Sequence, residues 1–376
     1  MRSFAGTVAK RLGVIVAVAL LGWLFAHSVS LGDLVHSRGY LYVATTLLAI
    51  GLYSSTYGID RDEIKADART VLLAVTFGVL VKATLIAVVM YAVFRRPEYL
   101  VLGVAVAQID PLSVAAMQKR SRMSPRAKAV LLAWASFDDP VTMLLTIYIS
   151  AFTLSILGAH GRSGPIADGT LSAFVTDLAA NLLFAGVASV IWWLAGRWMN
   201  GRVKQGVQMA VLLMLAAFAV WQFLMLGLAI VGLFFRPRMG RHLGIVTQAA
   251  FVCAVFALGM LLPGIDIVPG LVLAAGAFGA QALVALLLAR RHTANDRGYL
   301  AFGQQNGITA IILALLLQPA FPRTIGIVAP AIILVNMLHI ACNAYWDARV
   351  TAASHRETES ADRLSTPSRK TQASPS

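Results

Sequence analysis

The sequence predicts an all-α polytopic membrane protein of about twelve transmembrane helices, and three observations carry that prediction. The 376 residues are 59% hydrophobic and only 13% charged, whereas a soluble domain normally carries about twice that charged fraction. Apolar runs of spanning length recur from Leu12 to Tyr345. The basic residues fall in short turns between those runs. With the N-terminus taken as cytoplasmic, 25 of the 31 Lys and Arg lie in inside stretches, 5 in outside loops and one, Lys82, within a helix. That bias sets twelve spans with both ends cytoplasmic in a cell membrane, and dropping one helix would scramble the alternation after it. The net charge of +14 therefore reports membrane orientation and not a nucleic-acid partner.

Taken in order, the predicted segments are 12–31, 40–57, 69–94, 98–118, 127–156, 171–195, 207–221, 223–236, 243–262, 268–289, 298–318 and 325–346. The first follows Lys10-Arg11 and resembles a signal peptide in outline. The charge count is easier to explain if it stays as a helix. The seventh and eighth share one apolar run broken near Trp221-Gln222. Cys253 and Cys342 lie in apolar segments and read as small buried hydrophobes rather than a disulfide. Residues 1–346 thus form the transmembrane domain. Residues 347–376, rich in Ser, Thr, Arg and Pro without apolar periodicity, are predicted to be a disordered cytoplasmic tail.

Two spans are interrupted by polar residues. Helix 4 carries Gln108-Ile109-Asp110-Pro111, where proline removes a backbone donor and biases Asp110 away from helical geometry. Helix 11 carries Gly303-Gln304-Gln305-Asn306-Gly307, three amides between two glycines. Broken helices expose carbonyls and half-helix ends that coordinate a cation or are balanced by nearby charge. In lipid those groups must be satisfied again, so both breaks should face protein or a water cavity. For helix 4 the plainer alternative is a proline kink with Asp110 bonded to neighbouring backbone. The landmarks correspond between halves: Asn306 follows Asp110 by 196 positions and Asn336 follows Asp139 by 197. That spacing suggests two six-helix repeats of inverted topology, with helices 4 and 11 as the broken pair.

Helix 5 carries Asp138-Asp139-Pro140. Asp138 lies ten residues beyond Lys128, ~15 Å along the helix and near mid-membrane. Ionisable groups at that depth mark ion or proton sites by default. Adjacent carboxylates in a restricted environment cannot both ionise easily and titrate as a pair, and protons and metal ions compete for their oxygens. The alternative is a pair of acids at a wet helix end. Lys82, midway along helix 3, needs a partner, and Asp110, Asp138 and Asp139 are the candidates. His339 follows Asn336 by less than one turn on the same face. His27 and Asp177 read as ordinary helix residues. Nothing points to a cofactor, and no Walker A, HExxH, GxSxG or Cys/His cluster is present.

At these residues the chain resembles the monovalent cation–proton antiporter superfamily, the sodium/proton exchanger fold. QIDPLSVAA is similar to the family's first broken helix and FDDP to the acidic pair on the next one. GLYSSTYGIDRDEIK, LGLAIVGLFFRPR and FGQQNGITAIILALLL match further segments in the family's order, over residues 40 to 345. The resemblance implies exchange of Na⁺, K⁺ or Li⁺ for H⁺. It implies core helices 3–5 and 10–12 (69–156 and 268–346) that move, elevator fashion, against a dimerisation domain in a homodimer. Asp139 would be the principal cation- and proton-binding carboxylate, with Asp138 beside it as a second cation ligand and Asp110 completing the ion- and proton-binding acids. Asp110, Gln108, Pro111, Gln304, Gln305, Asn306 and Asn336 would shape the crossing. The chain departs from the pattern at Ile109, where the family has Thr. One branch has Glu at the place of Trp134 and a partner Arg at Asn306; the other has a Lys in the second broken helix. Losing both members of the Glu–Arg pair avoids an orphan buried charge, and Lys82 is the candidate replacement for the missing base. The competing readings are a sodium-coupled organic-anion transporter of similar fold and a non-transporting antiporter-like sensor. An intramembrane aspartyl protease is disfavoured, since its Gly-x-Gly-Asp sequence is absent.

Overall fold

The computed structural model describes residues 2–28, 37–57, 68–111, 114, 121–157, 171–198, 201–239, 241–262 and 264–365. All regular structure among them is helical. In chain order the helices are α1 (Arg2–Ser28), α2 (Arg38–Tyr57), α3 (Ala68–Leu73, a π turn Ala74–Gly78, then Val79–Phe94), α4 (Glu98–Ala105) and α5 (Pro125–Ile156). There follow α6 (Leu171–Trp198), α7 (Gly201–Gln222), α8 (Met225–Phe234), α9 (Arg241–Met260), α10 (Ile267–Leu288), α11 (Ala294–Ala301), α12 (Ile308–Leu317) and α13 (Thr324–Ser365). Seven helices are long and apolar enough to cross a membrane, and three shorter apolar ones accompany them among the described residues.

The helices follow the predicted apolar segments, the eleventh of which holds two, α11 and α12, and local chemistry explains several of their ends. Ser124 caps α5: its hydroxyl accepts from Ala127 N–H at 3.2 Å and proline occupies the first turn. Thr293 caps α11 in the same way, accepting from Asp296 N–H at 3.2 Å. The break between α7 and α8 falls at Phe223, whose φ of 57° cannot continue a right-handed helix. Helix α13 differs from expectation: it runs on to Ser365, past the predicted boundary at 346. Residues 347–365 contain neither Gly nor Pro and are supplied with Ala, Glu and Arg, so nothing stops the helix before Pro367. The rest of the predicted tail, 366–376, lies outside the described residues.

The helices form two neighbourhoods. Around α2 pack α7, α8 and α9, with α1 laid on α9 and α6 on α8, while α12 lies between the two groups, against α2 and α9 on one side and α13 and α4 on the other. The other comprises α3, α4, α5, α10, α11 and α13. Small residues permit the closest crossings, as is usual where hydrocarbon surrounds the protein. A Cβ on Gly103 of α4 would sit 2.6 Å from Ala87 Cα of α3. In the second group a buried apolar cluster around Leu131, Trp134, Val284 and Tyr299 joins α3, α5, α10 and α11. Through Trp134, whose ring centre is 5.5 Å from Lys82 Nζ, it adjoins the polar centre described next.

Candidate functional site

Helix α4 ends at Ala105, its last turn closed by Val106 N–H on Leu102 O at 3.3 Å, and Ala107–Asp110 are non-helical before the helical Pro111. Residues 112, 113 and 115–118 of the predicted fourth segment lie outside the described residues. Helix α11 stops at Ala301, and α12 begins only after Gly307. The two breaks meet. Asp110 N–H donates to Gln305 O at 2.9 Å. Asn306 Nδ2 donates to Val106 O at 2.9 Å and Gln108 O at 3.1 Å, and Gln304 Nε2 also donates to Gln108 O, at 2.9 Å. Gly307 is required here by crowding: a Cβ would overlap the Asp110 carboxyl group.

A broken helix at membrane depth leaves carbonyls that cost several kcal/mol each if unpaired. Gln304 and Asn306 cap those at the end of α4. At the end of α11, Phe302 O receives His339 Nδ1 at 2.7 Å and Asn343 Nδ2 at 2.9 Å, and Leu300 O receives Gln281 Nε2 at 3.1 Å. Asn336 clamps the backbone of Asn306 on both sides, accepting from its N–H at 3.2 Å and donating to its carbonyl at 3.0 Å. Neutral amides thus do at both breaks what a lysine or arginine could do by charge.

Against this crossing lies the middle of α5. Pro140 sits inside that helix, and Asp138 and Asp139 are 0% and 2% exposed. Successive helical residues point about 100° apart, so the two acids face different neighbours. Asp138 Oδ2 pairs with the Lys82 ammonium from α3 and accepts Ile109 N–H at 3.0 Å, while Thr142 Oγ1 approaches Oδ1 at 3.4 Å. Asp139 faces α12: its Oδ2 accepts from Thr309 Oγ1 at 2.9 Å, and its Oδ1 has no partner among the described residues. The side-chain oxygens of Gln108, Gln304 and Asn306 are likewise buried without a partner there. Asp139 Oδ1 is the open oxygen of an ionisable group, an acceptor that suits a cation or a proton.

The predicted residues are therefore brought together: Asp110, Asp138, Asp139, Gln108, Pro111, Gln304, Gln305, Asn306, Asn336 and Lys82 belong to one centre. Of the three acids offered to Lys82, the fold gives it Asp138. His339 and Asn343 support the end of α11 instead of facing the acids. Asp177 accepts from Tyr148 Oη at 2.8 Å, and His27 bonds Trp23 O at 2.9 Å on exposed α1. Sequence reasoning missed Thr309, Thr142 and the amide of Ile109. Thr142 could have been found, standing one turn after Asp138 on the same face. Thr309 and the Ile109 amide become partners only through the crossing.

No curated protein sequence matches this chain. Among solved structures, the sodium proton antiporter MjNhaP1 from Methanocaldococcus jannaschii, determined at pH 8, aligns with a TM-score of 0.64 at 17% identity, covering 92% of this chain and 96% of that one. A 3D EM map of the same protein gives a TM-score of 0.61 at 17% identity and 92% coverage of both chains. At that identity the likeness speaks for the fold alone. The family itself is shown by sequence: a family model for the transmembrane region of sodium/hydrogen exchangers matches residues 3–341, a span that contains both breaks, the acidic pair and Lys82, and so the chain belongs to the sodium/hydrogen exchanger family.

Proposed function

We propose that the protein exchanges a monovalent cation, Na⁺, K⁺ or Li⁺, for H⁺, with Asp139 as the group that the two alternately occupy. The observation that carries this reading is the asymmetry of that carboxylate: one oxygen held by Thr309, the other open beside the crossing. Asp110 supplies a second carboxyl group on the first broken helix. A proton on Asp139 neutralises it, and so does a cation coordinated by it, so either load lets the site move through a low-dielectric barrier at lower cost.

The proposed architecture has twelve spans in two inverted six-helix repeats. Helices α3–α5 and α10–α13 move as the carrier, elevator fashion, against the group around α2. Both termini are cytoplasmic, the bilayer is the plasma membrane, and two copies associate through the group around α2. The grouping of helix contacts and the distribution of basic residues support this. The organic-anion alternative wants a buried cation free to meet the anion, whereas Lys82 is committed to Asp138.

The test is a purified chain in vesicles carrying a pH gradient. Addition of Na⁺, K⁺ or Li⁺ is expected to collapse the gradient for one or more of these ions. Asp139→Asn should abolish the response. Full exchange by that variant would refute the assignment.

A further inference from the structure

The two adjacent acids of α5 use their oxygens in opposite ways. Asp138 is wholly buried, and its Oδ2 is shared between the Lys82 ammonium and Ile109 N–H. Its Oδ1 lies against Thr142 Oγ1. Lys82 is itself fully buried, with Nζ 5.5 Å from the centre of the Trp134 ring. Trp134 stands one turn before Asp138 on α5, so Lys82 is held between a carboxylate and a π face. Ile109, in turn, belongs to the non-helical link of the first broken helix, where its amide lacks an intrahelical acceptor.

We propose that Lys82 and Asp138 are positioning residues: their ion pair keeps Asp138 out of the ion-binding set and pins the backbone of the broken helix at Ile109, so that Asp139 meets the cation as the carboxylate of α5. An incoming cation would have to displace a buried ammonium to reach Asp138 Oδ2, trading one positive charge for another with no gain. At Asp139 Oδ1 it displaces no group of the described residues. Asp138 therefore acts through the link that carries Gln108, Ile109 and Asp110. Removing Lys82 alone leaves an uncompensated buried charge beside Asp139, which is the costly way to break such a pair; removing both charges together avoids it.

This inference rests on the reading of Asp139 as carrier, and the experiment separates the two. The full chain is purified with Asp138→Asn, Lys82→Met, the Lys82→Met/Asp138→Asn pair, or Asp139→Asn. Each is assayed for ²²Na⁺ binding in detergent and for Na⁺-driven proton movement in vesicles across pH. Asp138→Asn leaves Lys82 without its counter-charge and should lower turnover as Lys82→Met does, but asparagine still offers an acceptor to Ile109 N–H, so it should hold the Na⁺ dissociation constant within about threefold, while Asp139→Asn weakens it by more than about thirtyfold. Lys82→Met should lower turnover by about tenfold or more and displace the pH profile of exchange, and the double variant should bring both back toward the native values. A purely structural pair would lose folded protein without moving the pH profile of what remains. Loss of Na⁺ binding in Asp138→Asn comparable to that in Asp139→Asn overturns the inference alone, as does a folded double variant no better than Lys82→Met. Native-like binding by Asp139→Asn overturns the carrier assignment and this inference with it. Should the double variant not fold, the binding comparison between the two single asparagine variants decides the matter.

Discussion

Asp139 and Asp138 are identical in type and adjacent in sequence, and their surroundings separate them. One helical step turns Asp138 toward Lys82 and Asp139 toward Thr309. Thr309 is the nearest lever on the proposed carrier. Thr309→Val keeps its shape and removes a hydrogen bond worth about 1 kcal/mol, so apparent cation affinity should change by about fivefold, read as KM in the vesicle assay. Gly307 is a second test. Alanine there would push into the Asp110 carboxyl group, and overpacking of this kind costs about 1–3 kcal/mol. Gly307→Ala should lower the thermal midpoint and exchange together; an unchanged midpoint would show that the link yields freely.

At the scale of elements, the two broken helices are the feature to explain. Their positions were legible in the sequence, because a Pro after Asp110 and a pair of Gly around three amides announce them. The resolution of their carbonyls was not legible. It depends on Gln281 of α10 and on Asn336, His339 and Asn343 of α13, residues up to tens of positions distant. Asn336→Ala should leave the N–H and carbonyl of Asn306 short of partners and destabilise the protein by about 1–3 kcal/mol. A fall in thermal midpoint, checked by fluorescence-detected size-exclusion after heating, measures it. Asn336→Asp, which keeps the acceptor and loses the donor, should fall between alanine and the native residue. The π turn at Ala74–Gly78, one turn before Lys82, gave no sequence signal, since α- and π-hydrogen bonding share the same apolar pattern.

At the scale of the molecule, the proposed motion must pass where α2 meets α12. A Cβ on Gly51 would lie 3.5 Å from Ile308 Cγ2, in ordinary van der Waals contact, so side chains at these two positions meet across the α2–α12 contact. With Cys253 and Cys342 replaced by serine, Gly51→Cys/Ile308→Cys should stop exchange on oxidation and regain it on reduction. Exchange that continues through a fully formed cross-link would exclude sliding at this contact. The two single-cysteine variants control for the added bulk at Gly51.

The sequence by itself determined the class of protein, the two breaks and the short set of buried charges, because each rests on local cost. Apolar length, proline and glycine geometry and the expense of an ionised group in hydrocarbon act over a few residues. Tertiary structure alone decided which acid Lys82 meets, which oxygen of Asp139 stays open and which amides cap the broken ends. Those outcomes depend on distances of a few ångströms between α3, α5, α11, α12 and α13. The same apolar and polar pattern fits several helix rotations, and the packing of small residues and the crossing of the two links choose among them.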